Sequence, residues 1–390
     1  MKRPKDDVIT LDDALWERVM AATDGAMAPC FQCGVCTATC PWSELQNEPV
    51  NVRALMRRAQ LGIEEPDGAV WWCTTCRACE AQCPRGVPIA SVVLALRRLA
   101  WQDQSVPKGL PGVMWALHWD GNPWRRPPSQ RAAWARTADV KPFEPTDEIL
   151  YYVGCTPSYD NRSQKVARAL AGVFRAAGVT FGTLGEDEPC CGDAAFSLGQ
   201  HDYFRQMAAT TARRFSESGV KTLVTVSPHC YDMFRNHYPA TDGFLPLHYT
   251  QYLAQLVADG RLRFEQPYPI TATFHDPCYL GRENGVYDAP RQVLEAIPGL
   301  KLVEMPRNHE AALCCGGGGG RMWMETKAGE RFSDLRVREA AGTEADVLVT
   351  ACPHCIACLE DSLKLSGSAM RVMDVAEVVA AALAAGGASP

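Results

Sequence analysis

Two short cysteine runs with identical spacing are the strongest constraint on how this chain can fold. Both runs, CFQCGVCTATCP and CTTCRACEAQCP, follow the pattern C-x2-C-x2-C-x3-C-P, which is typical of bacterial two-cluster ferredoxins. Three cysteines two residues apart wrap the backbone into a tight loop, so that their thiolates converge on one four-iron cubane. The cysteines of the two runs are Cys30, Cys33, Cys36, Cys40, Cys73, Cys76, Cys79 and Cys83.

The fourth cysteine of each run decides how the ligands divide, because in two-cluster ferredoxins it binds the other cluster. We therefore assign one 4Fe-4S cubane to Cys30, Cys33, Cys36 and Cys83, and the other to Cys73, Cys76, Cys79 and Cys40. Zinc needs four ligands per site and gives no reason for the third closely spaced cysteine or the Cys-Pro ending. A disulfide framework is expected in small secreted domains, and the opening residues MKRPKDD contain no apolar signal-peptide core.

Composition limits the classes of protein to consider. The chain has 390 residues, of which 47% are hydrophobic, so it has enough apolar side chains for two or three cores. A net charge of −6 argues against nucleic acid as a partner. No stretch is long and apolar enough to span a bilayer. Cysteine-rich metal sites without a targeting segment predict a cytoplasmic location, with any membrane association made through a partner subunit.

Helical periodicity fills the front of the chain. The sequence predicts helices over residues 8–28, in NVRALMRRAQLG up to Gly62, and in PIASVVLALRRLAW after the second run. Together with the two runs, these helices predict a helical ferredoxin-like domain over residues 1–104.

The next segment, residues 105–146, is rich in Pro, Trp and Arg and is predicted to form a linker or wrap-around arm. Its tryptophans include Trp115, Trp119, Trp124 and Trp134. We expect these side chains to anchor an irregular segment to the core. The alternative is that they dock a partner or shield a cluster.

From residue 147 onward the sequence repeats. Four cysteine landmarks return at offsets of 123 to 125 residues. The equivalent pairs are Cys155 and Cys278, Cys190 and Cys314, Cys191 and Cys315, and Cys230 and Cys355. A nearly constant offset predicts two copies of one domain, a first copy over residues 147–266 and a second copy over residues 267–390.

Each copy alternates strands and helices. A short apolar strand (ILYYVGC or ITATFHDPC) precedes a helical segment (KVARALAGVFRAAG or APRQVLEAI), and an LVT strand precedes the last ligands. Such alternation predicts parallel sheets with the ligand loops at the carboxyl ends of the strands. The predicted fold class is therefore α + α/β, with a helical dicluster ferredoxin domain followed by two pseudo-symmetric α/β domains.

Adjacent cysteines are the unusual feature of each copy. Neighbouring side chains diverge in regular structure, so such a pair can serve one site only in a tight turn, which the following Gly192 or Gly316 permits. The second copy offers five cysteines, more than one cubane needs, and they are Cys278, Cys314, Cys315, Cys352 and Cys355.

The first copy lacks one of these cysteines. Ser227 stands where the second copy has Cys352, and the remaining set is Cys155, Cys190, Cys191 and Cys230. A serine hydroxyl is a far poorer ligand at neutral pH than a thiolate. The first copy is therefore expected to hold a smaller or ordinary cluster, or none.

These motifs resemble a known family. HDPCYLGRENGVYDAPRQVLEAIPG, MPRNHEAALCCGGGGGRMW and ACPHC are similar to the CCG, or cysteine-rich, domains of heterodisulfide reductase catalytic subunits. FQCGVCTATCP, NVRALMRRAQLG and WWCTTCRACEAQCP resemble the ferredoxin-like C-type subunit of the same enzymes. Together the two parts resemble the D-type subunit, in which they are fused, and the resemblance covers nearly the whole chain.

The resemblance implies a noncubane four-iron cluster in each complete CCG domain, and a pair of such clusters that splits a disulfide. Carried over to this chain, it assigns one noncubane cluster to Cys278, Cys314, Cys315, Cys352 and Cys355. These five residues are also the candidate catalytic residues. Ser227 departs from the family pattern, which leaves open a further iron-sulfur cluster in the first copy and weakens two-cluster disulfide chemistry.

Two features near the second set have two interpretations each. Gly316 and Gly317 open a run of glycines that either brings backbone amides close to a cluster or substrate anion, or forms a flexible loop. Cys358 is expected to be a buried free cysteine, and the alternative is a further ligand.

Three histidines flank the ligands. His275 precedes Cys278 and is a candidate cofactor-binding residue. His229 and His354 lie between the terminal ligands of the two copies, where they could supply protons. Because a histidine recurs in the incomplete copy, we expect hydrogen bonding to cluster sulfur instead.

These observations predict an iron-sulfur electron-transfer subunit of a heterodisulfide-reductase-like oxidoreductase. Its partner is expected to be a flavoprotein, such as a heterodisulfide reductase A-like subunit or an electron-transfer flavoprotein, or a membrane cytochrome. The alternative is a catalytic thiol-disulfide reductase subunit. A redox sensor is disfavoured, because it would not need a chain of cluster motifs.

Overall fold

The computed structural model describes residues 11–45, 50–63, 68–240, 243–327 and 329–385. Its ferredoxin-like domain contains helices α1 (Asp13–Thr23), α2 (Val35–Thr39), α3 (Val52–Leu61), α4 (Ala78–Ala81) and α5 (Ile89–Gln102). Two 3-10 helices, Pro41–Glu44 and Ala69–Trp72, accompany them. Helix α3 ends at Gly62, as predicted.

Helix α1 is shorter than the predicted helix over residues 8–28. Asp12 caps its first turn by accepting a hydrogen bond from the Leu15 backbone, and Asp24 ends it in a left-handed conformation. Residues 8–10 of that prediction lie outside the described residues. The apolar faces of α1, α3 and α5 form the core of the domain, with Val19, Met56 and Val92 among its buried side chains.

The arm contains regular structure, helices α6 (Leu110–Trp119) and α7 (Ala133–Thr137) and the 3-10 helix Pro128–Gln130. Trp134 is buried with its ring 5.5 Å from that of Tyr151, and Trp124 packs edge-on against Trp323. These two tryptophans anchor the arm. Trp115 and Trp119 are 61% and 72% exposed, so they do not.

The first copy is a four-stranded parallel sheet in the order β2-β1-β3-β4. Its strands are β1 (Ile149–Tyr152), β2 (Phe181–Gly182), β3 (Thr222–Thr225) and β4 (Leu245–His248). Its helices are α8 (Cys155–Tyr159), α9 (Ser163–Ala176), α10 (Asp193–Ser197), α11 (His201–Glu217), α12 (Pro228–Asp232) and α13 (Tyr249–Ala258), with a π-helical turn at Met233–His237.

The second copy repeats this sheet in the order β6-β5-β7-β8, again all parallel. Its strands are β5 (Thr271–Phe274), β6 (Lys301–Leu302), β7 (Val347–Thr350) and β8 (Arg371–Asp374). Its helices are α14 (Asp288–Glu295), α15 (Phe332–Ala341), α16 (Pro353–Ser366) and α17 (Val375–Ala385). Short 3-10 helices occur at His309–Ala311 and Arg321–Trp323 in this copy and at Gly185–Asp187 in the first. The strand order confirms the predicted pair of α/β domains.

The two copies pack through equivalent helices. Helix α9 of the first copy contacts α17 of the second, and α13 of the first contacts α14 of the second. Because α9 is equivalent to α14 and α13 to α17, a pseudo-twofold axis relates the two contacts. The helices share one continuous core that includes Leu170, Phe174, Leu253, Val293 and Val379.

Arg97 joins all three domains. It is fully buried in α5 and its guanidinium donates to the backbone oxygens of Val70 and Cys73 in the ferredoxin-like domain. The same group donates to Ser197 O in the first copy (2.6 Å) and to Gly319 O in the second (2.8 Å). Several carbonyl dipoles therefore stabilise a cation that would otherwise be costly to bury.

Candidate iron-sulfur sites

Both ferredoxin-type runs follow the same backbone path. Gln32 and Thr75, which precede the second cysteine of each run, have φ angles of 65° and 50°. Gly34 and Arg77, which follow that cysteine, have φ angles of 88° and 57°. A non-glycine residue pays about 1–2 kcal/mol to adopt a left-handed conformation. Three of these four residues are not glycine and therefore bear that cost. Both runs are thus held in a bend that their residue types alone do not favour.

The first predicted cubane set borders a single cavity, and its members are Cys30, Cys33, Cys36 and Cys83. Cys83 comes from the other run, as the division of the ligands requires. The Cys83 Sγ accepts a hydrogen bond from the Val87 backbone and the Cys30 Sγ accepts one from the Gln32 side chain, both at 3.4 Å. Cys33 is exposed, so this site lies at the surface. Four sulfur donors around one cavity fit a cubane.

The second set borders a separate cavity, and its members are Cys40, Cys73, Cys76 and Cys79. Phe332 of the second copy forms part of the wall, so this cavity lies between two domains. Burial raises the pKa of the Cys73 thiol to about 11, against the opposing charge of Arg97. Metal binding would compensate such buried thiolates, because coordination removes their protons. The ligand assignment of both cavities stays a prediction.

In both copies the cysteine loops follow the carboxyl ends of the strands, as predicted. In the first copy the Sγ atoms form a chain of contacts through Cys155, Cys190, Cys191 and Cys230. In the second copy the equivalent chain runs through Cys278, Cys314, Cys315 and Cys355. All eighteen cysteines lie within the described residues, and none of them forms a disulfide.

The second copy adds a fifth cysteine and a histidine to this chain. Cys352 caps helix α16 and contacts Cys355. Ligand atoms of His275, Cys315 and Cys355 all lie within 4.8 Å of one another. His275 Nδ1 accepts a hydrogen bond from Arg336 (3.1 Å), which leaves the proton of the neutral ring on Nε2. That N–H has no partner among the described residues, so it is available to a cluster sulfur.

The first copy has a different neighbourhood. Ser227 occupies the N-cap position of helix α12, which is the position of Cys352 before α16 in the second copy, and its side chain makes no capping hydrogen bond. Arg131 comes in from the arm, and both of its terminal nitrogens lie 3.5 Å from the Cys155 Sγ. It also pairs with the buried carboxylate of Glu188 at 2.9 Å. No sequence pattern points to Arg131, because the arm carries no ligand motif, and none points to Glu188, which precedes Cys190 in the first copy.

The second copy touches the second ferredoxin-type run. The Sγ atoms of Cys76 and Cys314 are in contact, although they belong to two different predicted sites. Arg282 donates to the Cys76 backbone oxygen at 2.6 Å. The Thr75 hydroxyl and the Tyr279 hydroxyl lie 2.7 Å apart. This group of contacts places the two predicted sites side by side.

The glycine run packs against the same loop. A Cβ atom on Gly319, whose φ is +58°, would come within 2.7 Å of the Cys73 backbone oxygen, so only glycine allows this approach. Gly316 and Gly317 donate their backbone N–H groups to the Sγ atoms of Cys314 and Cys315, at 3.2 and 3.5 Å. The run therefore serves close packing and amide-to-sulfur hydrogen bonds.

Cys358 lies nearby and is half-buried, where the sequence predicted a buried residue. It borders a cavity together with Cys315, Gly316 and Gly317. A Cβ atom on Gly317 would come within 3.1 Å of the Cys358 Sγ. Cys358 therefore packs against the glycine run.

His229 and His354 meet at the interface between the copies. Their rings are 4.4 Å apart, and His229 also stacks on Tyr279 at 3.9 Å. Asp193 accepts from His229 at 3.3 Å, and this carboxylate raises the pKa of His229 well above its usual range despite burial, which lowers it. Burial lowers the pKa of His354 to about 4. The contact of His229 with Cys352 shows that a histidine of one copy reaches the cysteines of the other.

Two family models match the chain. The cysteine-rich CCG domain matches residues 149–235 and 272–360, and the 4Fe-4S dicluster domain matches residues 26–87. Both models cover the regions in which the cysteine sites lie, so cysteine-rich and dicluster iron-sulfur domains occur in the predicted order.

Three curated relatives are similar to this chain. A probable iron-sulfur-binding oxidoreductase FadF of Bacillus subtilis is 38% identical over 74% of this chain and 43% of its own length. The EtfAB:quinone oxidoreductase of Syntrophomonas wolfei is 36% identical over 75% of this chain and 43% of its own length. The D-type subunit of the dihydromethanophenazine:CoB–CoM heterodisulfide reductase of Methanosarcina mazei is 32% identical over 91% of this chain and 93% of its own length. The chain thus spans less than half the length of the first two.

The chain belongs to the family of heterodisulfide reductase D-type iron-sulfur proteins, since it covers nearly all of a D-type subunit. It therefore contains a 4Fe-4S dicluster domain followed by tandem CCG domains. Within the described ranges, no helix combines the length and apolar character that crossing a membrane requires.

Proposed function

We propose that this chain is the electron-transfer subunit of a multisubunit heterodisulfide-reductase-like oxidoreductase. The two ferredoxin-type runs would hold two 4Fe-4S cubanes, and the second CCG domain a noncubane four-iron cluster. When bound, these clusters would supply one-electron transfer. A flavoprotein or a membrane cytochrome would be the partner. The relative named EtfAB:quinone oxidoreductase supports a flavoprotein, and the relatives named as subunits support a complex.

The contact between Cys76 and Cys314 carries this proposal. It brings the second predicted cubane site and the second CCG site next to each other across a domain boundary. Adjacent redox centres are what an electron relay requires, whereas independent structural clusters have no need to touch. The exposed Cys33 at the other end of the ferredoxin-like domain gives the relay a surface terminus.

Several side chains hold this domain boundary closed. Arg282 donates to the backbone of Cys76, and Arg77 pairs with Glu283 at 2.5 Å. Arg97 ties the Cys73 loop to Gly319. Because most of these groups are shielded from water, their hydrogen bonds keep a fixed geometry between the two predicted sites.

The first test is a count of iron and acid-labile sulfide on protein prepared without oxygen, followed by EPR of oxidised and reduced samples. We expect about twelve irons per chain, the sum of two cubanes and one four-iron noncubane site. A C314S variant is the matched probe, because it should remove iron from the second copy and alter the EPR signal of the neighbouring cubane. Wild-type protein with fewer than about eight irons would contradict the proposal.

A count of about sixteen irons would favour the alternative, a catalytic thiol-disulfide reductase subunit. It would mean that a second four-iron site forms in spite of Ser227. The paired sites would then lie on either side of the interface that contains His229 and His354.

A further inference from the structure

A groove runs along the surface of the ferredoxin-like domain beside the first predicted cubane site. Residues of α1 and α3 form its walls, and the loop that starts at Cys30 forms its floor. Gln60 of α3 holds this loop by donating its side-chain amide to Cys30 O at 2.9 Å and to Met27 O at 3.2 Å. The floor is therefore firmly attached to the domain.

Apolar side chains project around this groove into solvent. Phe31, the residue after Cys30, is 59% exposed, Trp16 on α1 is 42% exposed and Val35 on α2 is 37% exposed. Single exposed apolar residues are ordinary on protein surfaces, but three of them around a predicted cluster ligand form a local patch. Aromatic residues are enriched where proteins bind one another.

Charge identifies the kind of partner. The described residues that line the groove include two exposed arginines, Arg53 and Arg57, and no Asp or Glu. The chain as a whole carries a net charge of −6, so a basic groove is a departure from its average surface. Such a groove attracts an acidic surface.

The two predicted cubane sites differ in access. The first is next to the groove and includes the exposed Cys33, whereas the four cysteines of the second are only partly exposed and Phe332 of the second copy lines their cavity. A partner protein can therefore approach the first site more closely than the second. The groove therefore lies beside the more accessible of the two predicted cubane sites.

We propose that this groove is the docking surface of an acidic electron-carrier protein, with Arg53 and Arg57 pairing with its carboxylates and Phe31 and Trp16 packing against its apolar rim. The proposal rests on the electron-transfer function proposed above. One electron would pass from the partner's reduced cofactor to the site of Cys30, Cys33, Cys36 and Cys83, without transfer of any atom or proton. Small redox interfaces of this kind bind weakly and depend on salt.

The test uses the full chain and a flavodoxin of strongly negative net charge as the probe. Arg57→Glu and Arg57→Gln change the charge of the groove, and Arg213→Glu on α11, an exposed arginine that does not line the groove, makes the same change elsewhere. Binding of oxidised flavodoxin is measured by calorimetry at low and high salt. The rate at which reduced flavodoxin reduces the chain is measured by stopped flow.

At low salt we expect R57E to weaken binding and slow reduction by at least about fivefold, with R57Q in between and R213E within about twofold of wild type. At high salt the differences should shrink. Iron content and EPR spectra should be the same in all four proteins, which shows that folding and the sites are intact.

Equal binding of wild type and R57E at low salt would overturn the docking surface, as would an equal loss in R213E. A change in sedimentation coefficient caused by R57E would show that a second copy covers the groove, and would also overturn it. Failure of the proposed function has a different signature, which is wild-type protein that lacks iron or that dithionite does not reduce. Even if the proposed function fails in this way, the calorimetric comparison of wild type, R57E and R213E still tests whether the groove binds flavodoxin.

Discussion

The first and second copies have the same sheet order and the same chain of four cysteine contacts, yet their sites are built into the molecule differently. The second site adjoins the ferredoxin-like domain through Cys76 and Cys314 and contains Cys352 and His275. The first site has Ser227 in place of the fifth cysteine and is covered by the arm, whose Arg131 reaches Cys155. The two copies thus share the same sheet and cysteine arrangement, but the side chains around the two sites differ.

This difference suggests a division of roles. A site that touches a neighbouring predicted cluster site is placed to serve the proposed relay, and this describes the second copy. The first site has a buried cation and carboxylate beside it, Arg131 and Glu188, which give it a charge environment of its own. We therefore expect changes in the two copies to have unequal effects.

The largest expected effect comes from equivalent substitutions, C314S in the second copy and C190S in the first. C314S should lower the iron content by about four per chain and alter the EPR signal of the cubane next to it, because Cys314 contacts Cys76. C190S should leave the signals of both cubanes unchanged. The comparison would fail if C190S disturbed the cubane signals as strongly as C314S.

A gain of iron is the next expected effect. S227C gives the first copy the five cysteines of the second, and a thiolate is a far better iron ligand than a hydroxyl. If Ser227 limits the first site, S227C should raise the iron content and add an EPR signal, whereas S227A should do neither. An unchanged iron count in S227C would show that the neighbourhood of Arg131, rather than the missing thiolate, sets the content of this site.

Arg131 allows a direct test of the arm. R131Q leaves the buried Glu188 without its cation, and removal of one partner of a buried ion pair typically costs about 3–5 kcal/mol. Arg136 in the same arm pairs with Glu186 at 3.1 Å in an exposed position, so R136Q should cost less than about 1 kcal/mol. Urea unfolding of anaerobic samples measures both. Equal costs would mean that the arm does not support the first site.

Much of this architecture could be predicted from the sequence, because the strand and helix patterns are local signals and the repeat is visible as cysteines that return at a nearly constant offset. The parallel sheets, the ligand loops after their strands and the helix that ends at Gly62 all follow from residue types a few positions apart. The two cavities also divide the eight ferredoxin-type cysteines as the fourth-cysteine rule does. Their ligand roles remain predictions that the iron measurements will test.

Other features depend on contacts between distant segments and have no local signal. Arg131 is one of several arginines in a segment of irregular composition, and only the folded arm brings it to Cys155. The contact of Cys76 with Cys314 joins residues 238 positions apart in sequence. Trp115, Trp119, Trp124 and Trp134 all lie in the arm, where the sequence composition does not distinguish them. Only Trp124 and Trp134 pack against the rest of the protein. Sequence patterns identify the parts, whereas tertiary packing decides which parts meet.

The smallest expected effect concerns His248 and Asp374, which end the equivalent strands β4 and β8 and precede α13 and α17. Burial lowers the pKa of His248 to about 3, so it is neutral in the folded chain above pH 6.5, whereas the unfolded chain, whose histidine pKa is about 6.5, is still half protonated there. Burial raises the pKa of Asp374 to about 8 from an unfolded value near 3.8. The folded chain then holds a proton that the unfolded chain has lost, and stability should fall as the pH rises towards 8.

One such proton changes the free energy of unfolding by about 1.4 kcal/mol per pH unit, so wild type should lose up to about 2 kcal/mol between pH 6.5 and 8. D374N keeps the hydrogen bond that Tyr249 donates at 2.6 Å and has no charge to bury, so this loss should disappear. H248N should still lose stability over the same range, by about 0.4 kcal/mol more than wild type, because it lacks the imidazole that deprotonates in the unfolded chain. Urea unfolding at several pH values measures the three slopes, and a D374N slope equal to that of wild type would show that Asp374 is already ionised in the folded chain.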